Sequence, residues 1–409
     1  MKICFILPDL SPSGGMAVAS AHVRGLGRDH RVEAELVTVD ALADVRDRDY
    51  DVAIATWWET VGALWGLRAR RRALLLQSFE QRFYGVDAPF ERLGAEAVLS
   101  LPLDFIAVAP WLRDTLVELR PEARCHVVTP GIDKEVFSFE REVRRDEPLR
   151  VLVEGQPSLP FKGVQHALAA VRAMREPVYV TLVALDPGEA GDLGADRVVG
   201  GLDARGMAEL YRDSDVLLKL SRVEGLGLAP IEGFHGGLPC VITPYTGHEE
   251  YAVHLENSLI VEFDEPEVAT AELDELARNR DLLARLSAGA RRRAERWPDA
   301  SSSTAALHRA LVEIAAAETA APDVPLLLRT LGLHSELGRG RLVRLESVEQ
   351  ALAAAQAHFK ELSDSRAECS EMLEAANAEL ERIRSGALYR AASAAKRVGR
   401  RVTGGRQRG

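Results

Sequence analysis

Two carboxylates, Glu224 and Glu232, stand eight positions apart in the stretch Ser221 to Tyr251, SRVEGLGLAPIEGFHGGLPCVITPYTGHEEY. The preceding run, Val216-Leu217-Leu218-Lys219-Leu220, reads as a short buried strand. Glu224, Gly225 and Gly227 break it, and Leu228 to Phe234 has helical spacing before the Gly236-Gly237 stop. On such a strand–turn–helix unit the first carboxylate lies on the loop and the second lies within the helix. Both then face a ligand above the helix N-terminus, where free N–H groups and the helix dipole favour an anion. Leu238 to Thr243 reads as the next buried strand, with Gly247-His248-Glu249-Glu250 as the loop after it. The chemistry implied is binding of a phosphorylated ligand by loops at converging strand ends.

Three further stretches fit that chemistry. Gly14 and Gly15 follow the first strand and open a helix, so the backbone there can approach a phosphate closely. Lys162-Gly163 stands ahead of the helix from Val164, where a lysine meets a diphosphate as a point charge. Gln77 to Tyr84 (QSFEQRFY) joins aromatic rings to charges, a combination suited to a pyranose with an apolar face and a rim of hydroxyls.

The elements that must position these residues alternate. Ile3–Leu7, Val32–Val39, Val52–Ala55, Leu74–Gln77, Phe105–Val108 and His126–Val128 are candidate strands, with helices over Met16–Gly27 and Trp111–Leu119. That alternation predicts an α/β fold with a parallel sheet in residues 1–138. The charged, aperiodic Glu140 to Pro148 reads as a linker. A second sheet is predicted within 149–320 from Leu149–Val153, Val178–Ala184, Val198–Leu202 and Val216–Leu220, with a helix over Met207–Asp213. Asp264 to about Ala316 reads as helical, interrupted at Trp297-Pro298.

Of 409 residues, 47% are hydrophobic and 28% charged, which is ordinary for a globular chain. No apolar run reaches membrane-spanning length, and the short first strand is not a signal-peptide core. Cys4, Cys125, Cys240 and Cys369 show no metal-ligand spacing and are expected as free thiols in a reducing cytoplasm. No metal is expected. The net charge of −11 hides a basic end, because nine basic and no acidic residues follow from Arg382 onward. An acidic body with a basic tail suits an anchor rather than a nucleic-acid-binding fold.

Ser221, Glu224-Gly225, Gly227, Glu232, Gly237, Pro239 and Gly247, with Glu249 or Glu250 beyond, resemble the E-x7-E signature of glycosyltransferase family 4. The resemblance covers roughly residues 1–320 and implies a GT-B fold, two Rossmann-like domains facing a cleft, and retaining transfer from a sugar nucleotide. It departs at Gly233-Phe234-His235, where the family carries small apolar residues; His235 is expected on the helix surface and His22 as structural. By resemblance Glu232 binds ribose hydroxyls and Glu224 the transferred sugar. The Gly247-His248-Glu249 loop lies near sugar and phosphate, Gly225, Leu226 and Gly227 border the donor, and Gly14-Gly15 matches the loop beside the donor phosphates. Glu224, Lys162 and Glu249 are the expected catalytic residues. Lys162 matches the family's Arg…Lys-Gly loop, but Gln156 or a neighbour stands where the arginine is usual. Either the phosphate grip is weaker or Arg222 substitutes. Residues 77–84, 107–112 and 131–133 are similar to the N-terminal half of bacterial cell-surface rhamnosyltransferases, which implies a glycan or lipid-linked glycan acceptor on this side, with Trp58, Glu80 and Tyr84 as the candidate acceptor site, and suggests deoxythymidine-diphosphate rhamnose as donor.

Beyond the resemblance, Leu352, Ala355, Phe359, Leu362, Arg366, Cys369, Leu373, Ala376, Leu380 and Ile383 recur at steps of four and three. This heptad pattern predicts a C-terminal helical coiled-coil extension over 346–385 that forms a homo-oligomer. Residues 386–409 fit a short basic helix that holds a cytoplasmic protein at the inner face of an anionic membrane. A sugar-nucleotide epimerase on the same scaffold, or a non-catalytic coiled-coil scaffold of a glycan-assembly complex, are the other readings of the chain.

Overall fold

The protein is described by a computed structural model covering residues 1–318 except 12–13, 141–143, 145–146 and 191–192, with single positions 332, 375, 377, 378 and 382 beyond. Those single positions aside, the coiled-coil and basic-tail expectations lie outside the described residues.

The N-terminal half runs β1 (Lys2–Leu7), α1 (Gly14–His30), β2 (Glu33–Thr38), β3 (Asp49–Ala55), β4 (Arg68–Leu76), α2 (Pro89–Ala97), β5 (Asp104–Ala107), α3 (Pro110–Leu119), β6 (Arg124–Val127) and α4 (Lys134–Phe137). Its parallel strands lie in the order β2-β1-β3-β4-β5-β6. The C-terminal half runs β7 (Leu149–Glu154), α5 (Val164–Arg172), β8 (Val178–Val183), β9 (Arg197–Val199), α6 (Ala204–Asp213), β10 (Val216–Lys219), α7 (Leu228–His235), β11 (Cys240–Ile242), β12 (Ser258–Ile260), α8 (Pro266–Arg278), α9 (Arg280–Glu295) and α10 (Ala300–Ala316). These strands are also parallel, ordered β12-β11-β10-β7-β8-β9. Central strands such as β1, β7 and β10 are nearly continuous apolar runs because helices cover both faces of each sheet.

Each sheet reverses its strand order once, between β1 and β3 and between β7 and β10. Loops leaving adjacent strands there diverge to opposite faces and open a crevice at the strand carboxyl ends. The two crevices face one another. Helix α10 starts at Asp299, whose carboxylate accepts from Ser302 N–H, and packs back on α1 of the first half. Trp297 ends the preceding turn, and its indole N–H donates to Pro130 O at 3.0 Å. Ser303 Oγ donates to Thr129 O at 2.6 Å, adding to that strap.

Three expectations change. Strand β12 was not foreseen, because three residues, Ser-Leu-Ile, carry too little pattern. Strand β4 starts at Arg68 rather than Leu74, since buried Arg71 is neutralised by Asp104 on β5 at 2.5 Å. His235 is buried rather than on the helix surface, its Nδ1 bonded to Ile231 O at 2.8 Å. Cys4 and Cys240 are free and buried and Cys125 is half-buried; burial pushes the Cys4 and Cys240 thiols up to about 12. No helix among the described residues is long and apolar enough to cross a membrane.

Candidate active site in the interdomain cleft

The register between β7 and β10 pairs Leu218 with Val153, which sets the next residues, Lys219 and Glu154, side by side at the strand carboxyl ends. Lys219 is only 2% exposed. Its ammonium ion-pairs with Glu154 and lies 2.8 Å from Glu224. Lys162 closes the chain from above, donating to both oxygens of Glu224 at 2.9 and 3.1 Å. Ser221 Oγ adds a third donor at 3.0 Å. Two carboxylates and two ammoniums thus alternate, and the cluster is neutral. Burial alone would raise the Glu224 carboxyl, but Lys162 and Lys219 overcome it and hold the group down to about 2. Burial likewise works against the charge on Lys219, and Glu154 and Glu224 reverse that, raising its pKa.

Glu232 sits on α7, where Tyr211 O–H donates to its Oε2 at 2.8 Å. Burial pushes Glu232 up to about 7; the tyrosine bond opposes this and the nearby Glu154 charge reinforces it. Gly227, Leu228 and Ala229, at the N-terminus of α7, line the same cleft as Gly14 and Gly15 at the start of α1. Two helix N-termini therefore converge on one space, with no acidic residue in either first turn. Lys162 is held against that space by a turn that only glycine closes. Gly163 adopts φ +64°, and a Cβ there would fall on the Leu220 carbonyl.

The opposite wall comes from the first domain. Trp57, Gln77, Ser78, Glu80, Phe83 and Tyr84 complete a cleft of about 670 Å³. Trp57 stacks on Phe83 with centroids 5.9 Å apart, and Phe83 meets Phe161 of the second domain at 5.0 Å. The seam is tight elsewhere too, since Trp111 Nε1–H donates to Gly225 O at 2.8 Å.

Among the residues expected from sequence, Gly14, Gly15, Lys162, Glu224, Gly225, Leu226, Gly227 and Glu232 line this cleft, as do Glu80 and Tyr84. Trp58 does not line it; it is fully buried, with its N–H donating to Glu80 Oε2 at 2.7 Å and its indole to Tyr84 Oη at 2.8 Å. Trp57 lies on the cleft wall instead. The Arg222 guanidinium pairs with Asp264 outside the cleft lining. Gly247, His248 and Glu249 stand behind the Gly225 turn rather than in the lining. His248 Nδ1 bonds Tyr245 O at 2.7 Å, and Glu249 accepts from Gly247 N–H at 2.8 Å. Sequence reasoning missed Lys219, Glu154 and Tyr211. A lysine ending an apolar strand was the only signal available for the first. No group of three or more His, Cys, Asp or Glu suited to a metal ion occurs among the described residues.

Residues 195–293 match the family model described as Glycosyl transferases group 1. No curated protein matches the sequence. The structure is similar to Anabaena Alr3699/HepE in complex with UDP and glucose, at 16% identity over 76% of this chain and 100% of that one, with a TM-score of 0.62. It is similar to sucrose-phosphate synthase of Thermosynechococcus elongatus at 16% identity, covering 78% and 100% of the two chains with a TM-score of 0.66. A glycosyltransferase of Rickettsia africae follows at 14% identity, 78% and 99% coverage and a TM-score of 0.56. At such identities the likeness concerns the fold. The chain has a GT-B fold, and residues 195–293 of its second half match the Glycosyl transferases group 1 model.

Proposed function

We propose that the protein is a glycosyltransferase that moves a sugar from a nucleoside diphosphate to a glycan acceptor, with retention and without a metal, in cell-surface polysaccharide assembly. The observation that carries the reading is the cleft itself. One wall carries the Lys162–Glu224–Lys219–Glu154 cluster, Glu232 and the N-terminus of α7, and the other, from the first domain, carries the N-terminus of α1 and the aromatic rings. The bound UDP and glucose of the Anabaena neighbour fit the same interpretation.

In this reading Glu232 accepts from the ribose hydroxyls and Glu224 faces the transferred sugar. The bond from the anomeric carbon to the diphosphate oxygen breaks, and the acceptor hydroxyl oxygen bonds to that carbon on the same face. Its proton leaves with the diphosphate. Negative charge develops on the leaving diphosphate, so Lys162 and the N–H groups opening α1 and α7 supply the stabilisation. Lys162 turns to the phosphates from Glu224, which keeps Lys219 as its counter-ion. The N-terminal likeness to rhamnosyltransferases makes deoxythymidine-diphosphate rhamnose the first donor to try. Oligomerisation through 346–385 and attachment to anionic lipid at the inner membrane face through 386–409 complete the reading.

The test is thermal stabilisation by a panel of nucleotide sugars, with wild type and Glu232→Ala in parallel. A hundredfold excess of ligand over its Kd adds about 2.7 kcal/mol. Stabilisation by one sugar nucleotide, lost in the variant, is expected, followed by acceptor-dependent turnover of that donor. Stabilisation by none of them would overturn the reading, and turnover without an acceptor would point to an epimerase.

A further inference from the structure

Two polar atoms on the N-terminal wall of the cleft are buried and unpaired. Glu80 is 4% exposed and Ser78 2%, and both residues line the cleft. Glu80 Oε1 and Ser78 Oγ have no hydrogen-bond partner among the described residues. Such atoms each cost about 1–3 kcal/mol when left unsatisfied, and two of them on residues that line one cleft point to a ligand that satisfies both.

Their surroundings define that ligand. Glu80 Oε2 is fixed by the Trp58 N–H at 2.7 Å, and the same tryptophan's indole fixes Tyr84 Oη at 2.8 Å. The direction of Oε1 is therefore set before anything binds. Burial raises the Glu80 carboxyl well above the ordinary range, which makes a hydrogen-bonding partner at Oε1 the more favourable. Ser78 both donates and accepts. Beside them stand the stacked rings of Trp57 and Phe83. Ser78 Cβ lies 3.4 Å from the place a Cβ on Gly225 would take, one residue from Glu224, so Ser78 stands beside the loop that borders the transferred sugar in the proposed function. A ring with an apolar face and a hydroxyl rim matches these features.

We propose that Ser78 and Glu80 form a hydroxyl-binding subsite for a pyranose on the N-terminal wall, across the cleft from Lys162. The inference rests on the transferase reading above, and two sources supply the same chemistry, the sugar of the donor or that of the acceptor. Ser78→Ala and Glu80→Gln test it; the glutamine keeps an acceptor for the Trp58 N–H. Kd values are measured for the nucleoside diphosphate alone and for the nucleotide sugar that stabilises wild type. A panel of methyl glycosides is then titrated against protein saturated with nucleoside diphosphate. The expected result is an unchanged nucleoside diphosphate Kd and an unliganded Tm no lower than that of wild type, with about a tenfold loss in one other arm. Loss in the nucleotide-sugar arm assigns the subsite to the donor sugar, and loss in the glycoside arm to the acceptor. If both arms stay within twofold, or no glycoside binds wild type and the donor arm is unchanged, the subsite is overturned. Equal weakening of the nucleoside diphosphate would show a structural role and overturn it as well. Failure of wild type to bind any nucleotide sugar is separate, because it removes the transferase reading first.

Discussion

Lys219→Met isolates the buried charge cluster. Methionine keeps most of the stem that packs in the strand, so the change removes a charge more than a volume. In wild type the lysine is 2% exposed, ion-paired to Glu154 and 2.8 Å from Glu224. The Glu224 carboxyl is held at about 2 against an ordinary 4.5. At ~1.36 kcal/mol per pH unit, that depression is worth about 3 kcal/mol to the folded state. Without Lys219 only Lys162 opposes burial, and the Glu154 carboxylate loses its ammonium. Breaking a buried pair generally costs about 3–5 kcal/mol. Glu154 is partly exposed and gains water, which places the expected loss near the lower end, about 3 kcal/mol at pH 7.

The sign of the pH dependence follows from the lowered carboxyl. Its contribution is complete above pH 4.5 and disappears as pH falls through about 2, because the unfolded chain takes up its proton first. In the variant the carboxyl titrates nearer its ordinary range, so the gap between the two proteins closes on the acid side. Urea unfolding at pH 7 and pH 3 checks this, with each transition fitted separately since two domains need not unfold together. Adding Glu154→Gln to Lys219→Met removes the stranded charge and is expected to recover at least half of the loss. A single variant within 0.5 kcal/mol of wild type at pH 7, or a gap that is as wide at pH 3, would refute the account of the cluster.

Burial pushes Glu232 up to about 7, and in the proposed function its ionised form is the better acceptor for ribose hydroxyls. Nucleoside diphosphate affinity measured by calorimetry is therefore expected to rise about tenfold from pH 6 to pH 8, and Glu232→Gln to flatten that profile. The same raised carboxyl makes the unliganded fold lose stability as pH rises from 4.5 towards 7, since the folded state there holds the extra proton. Gly225→Ala would set a methyl on the Gln77 carbonyl and wedge the domain seam open. Turnover is expected to fall by about a hundredfold, with a larger radius of gyration by small-angle scattering; wild-type values of both would count against a closed cleft as the working state.

Local pattern carried much of this site. The apolar run before Glu224, the glycines that break it and the helical spacing after them place both glutamates where the structure has them, in the turn and on α7. What stayed hidden depends on partners distant in the chain. Trp57 and Trp58 are adjacent and alike, and only the fold decides which ring faces the cleft and which fills the core. Arg222 read as a spare cation because Asp264, its partner, lies 42 positions away. The strand order was equally silent: nothing local says that β10 lies beside β7 rather than β9.

That strand order explains the departure in the phosphate loop. The resemblance calls for two cations on the loop after β7, and this chain has Lys162 with no arginine beside it. A second cation does stand beneath, on β10, where pairing with β7 brings Lys219 to Glu154 and Glu224. A loop arginine could reach a phosphate directly, whereas Lys219 is enclosed by its two carboxylates. Its consequence for the ligand is indirect. In the proposed function, Lys219 would let Lys162 leave Glu224 for an arriving diphosphate without stranding a buried carboxylate, a desolvation cost that would otherwise be charged against binding. An arginine returned to the loop at Gln156 would therefore strengthen nucleotide binding without replacing Lys219, and the double variant Gln156→Arg, Lys219→Met would still lose its stability at neutral pH.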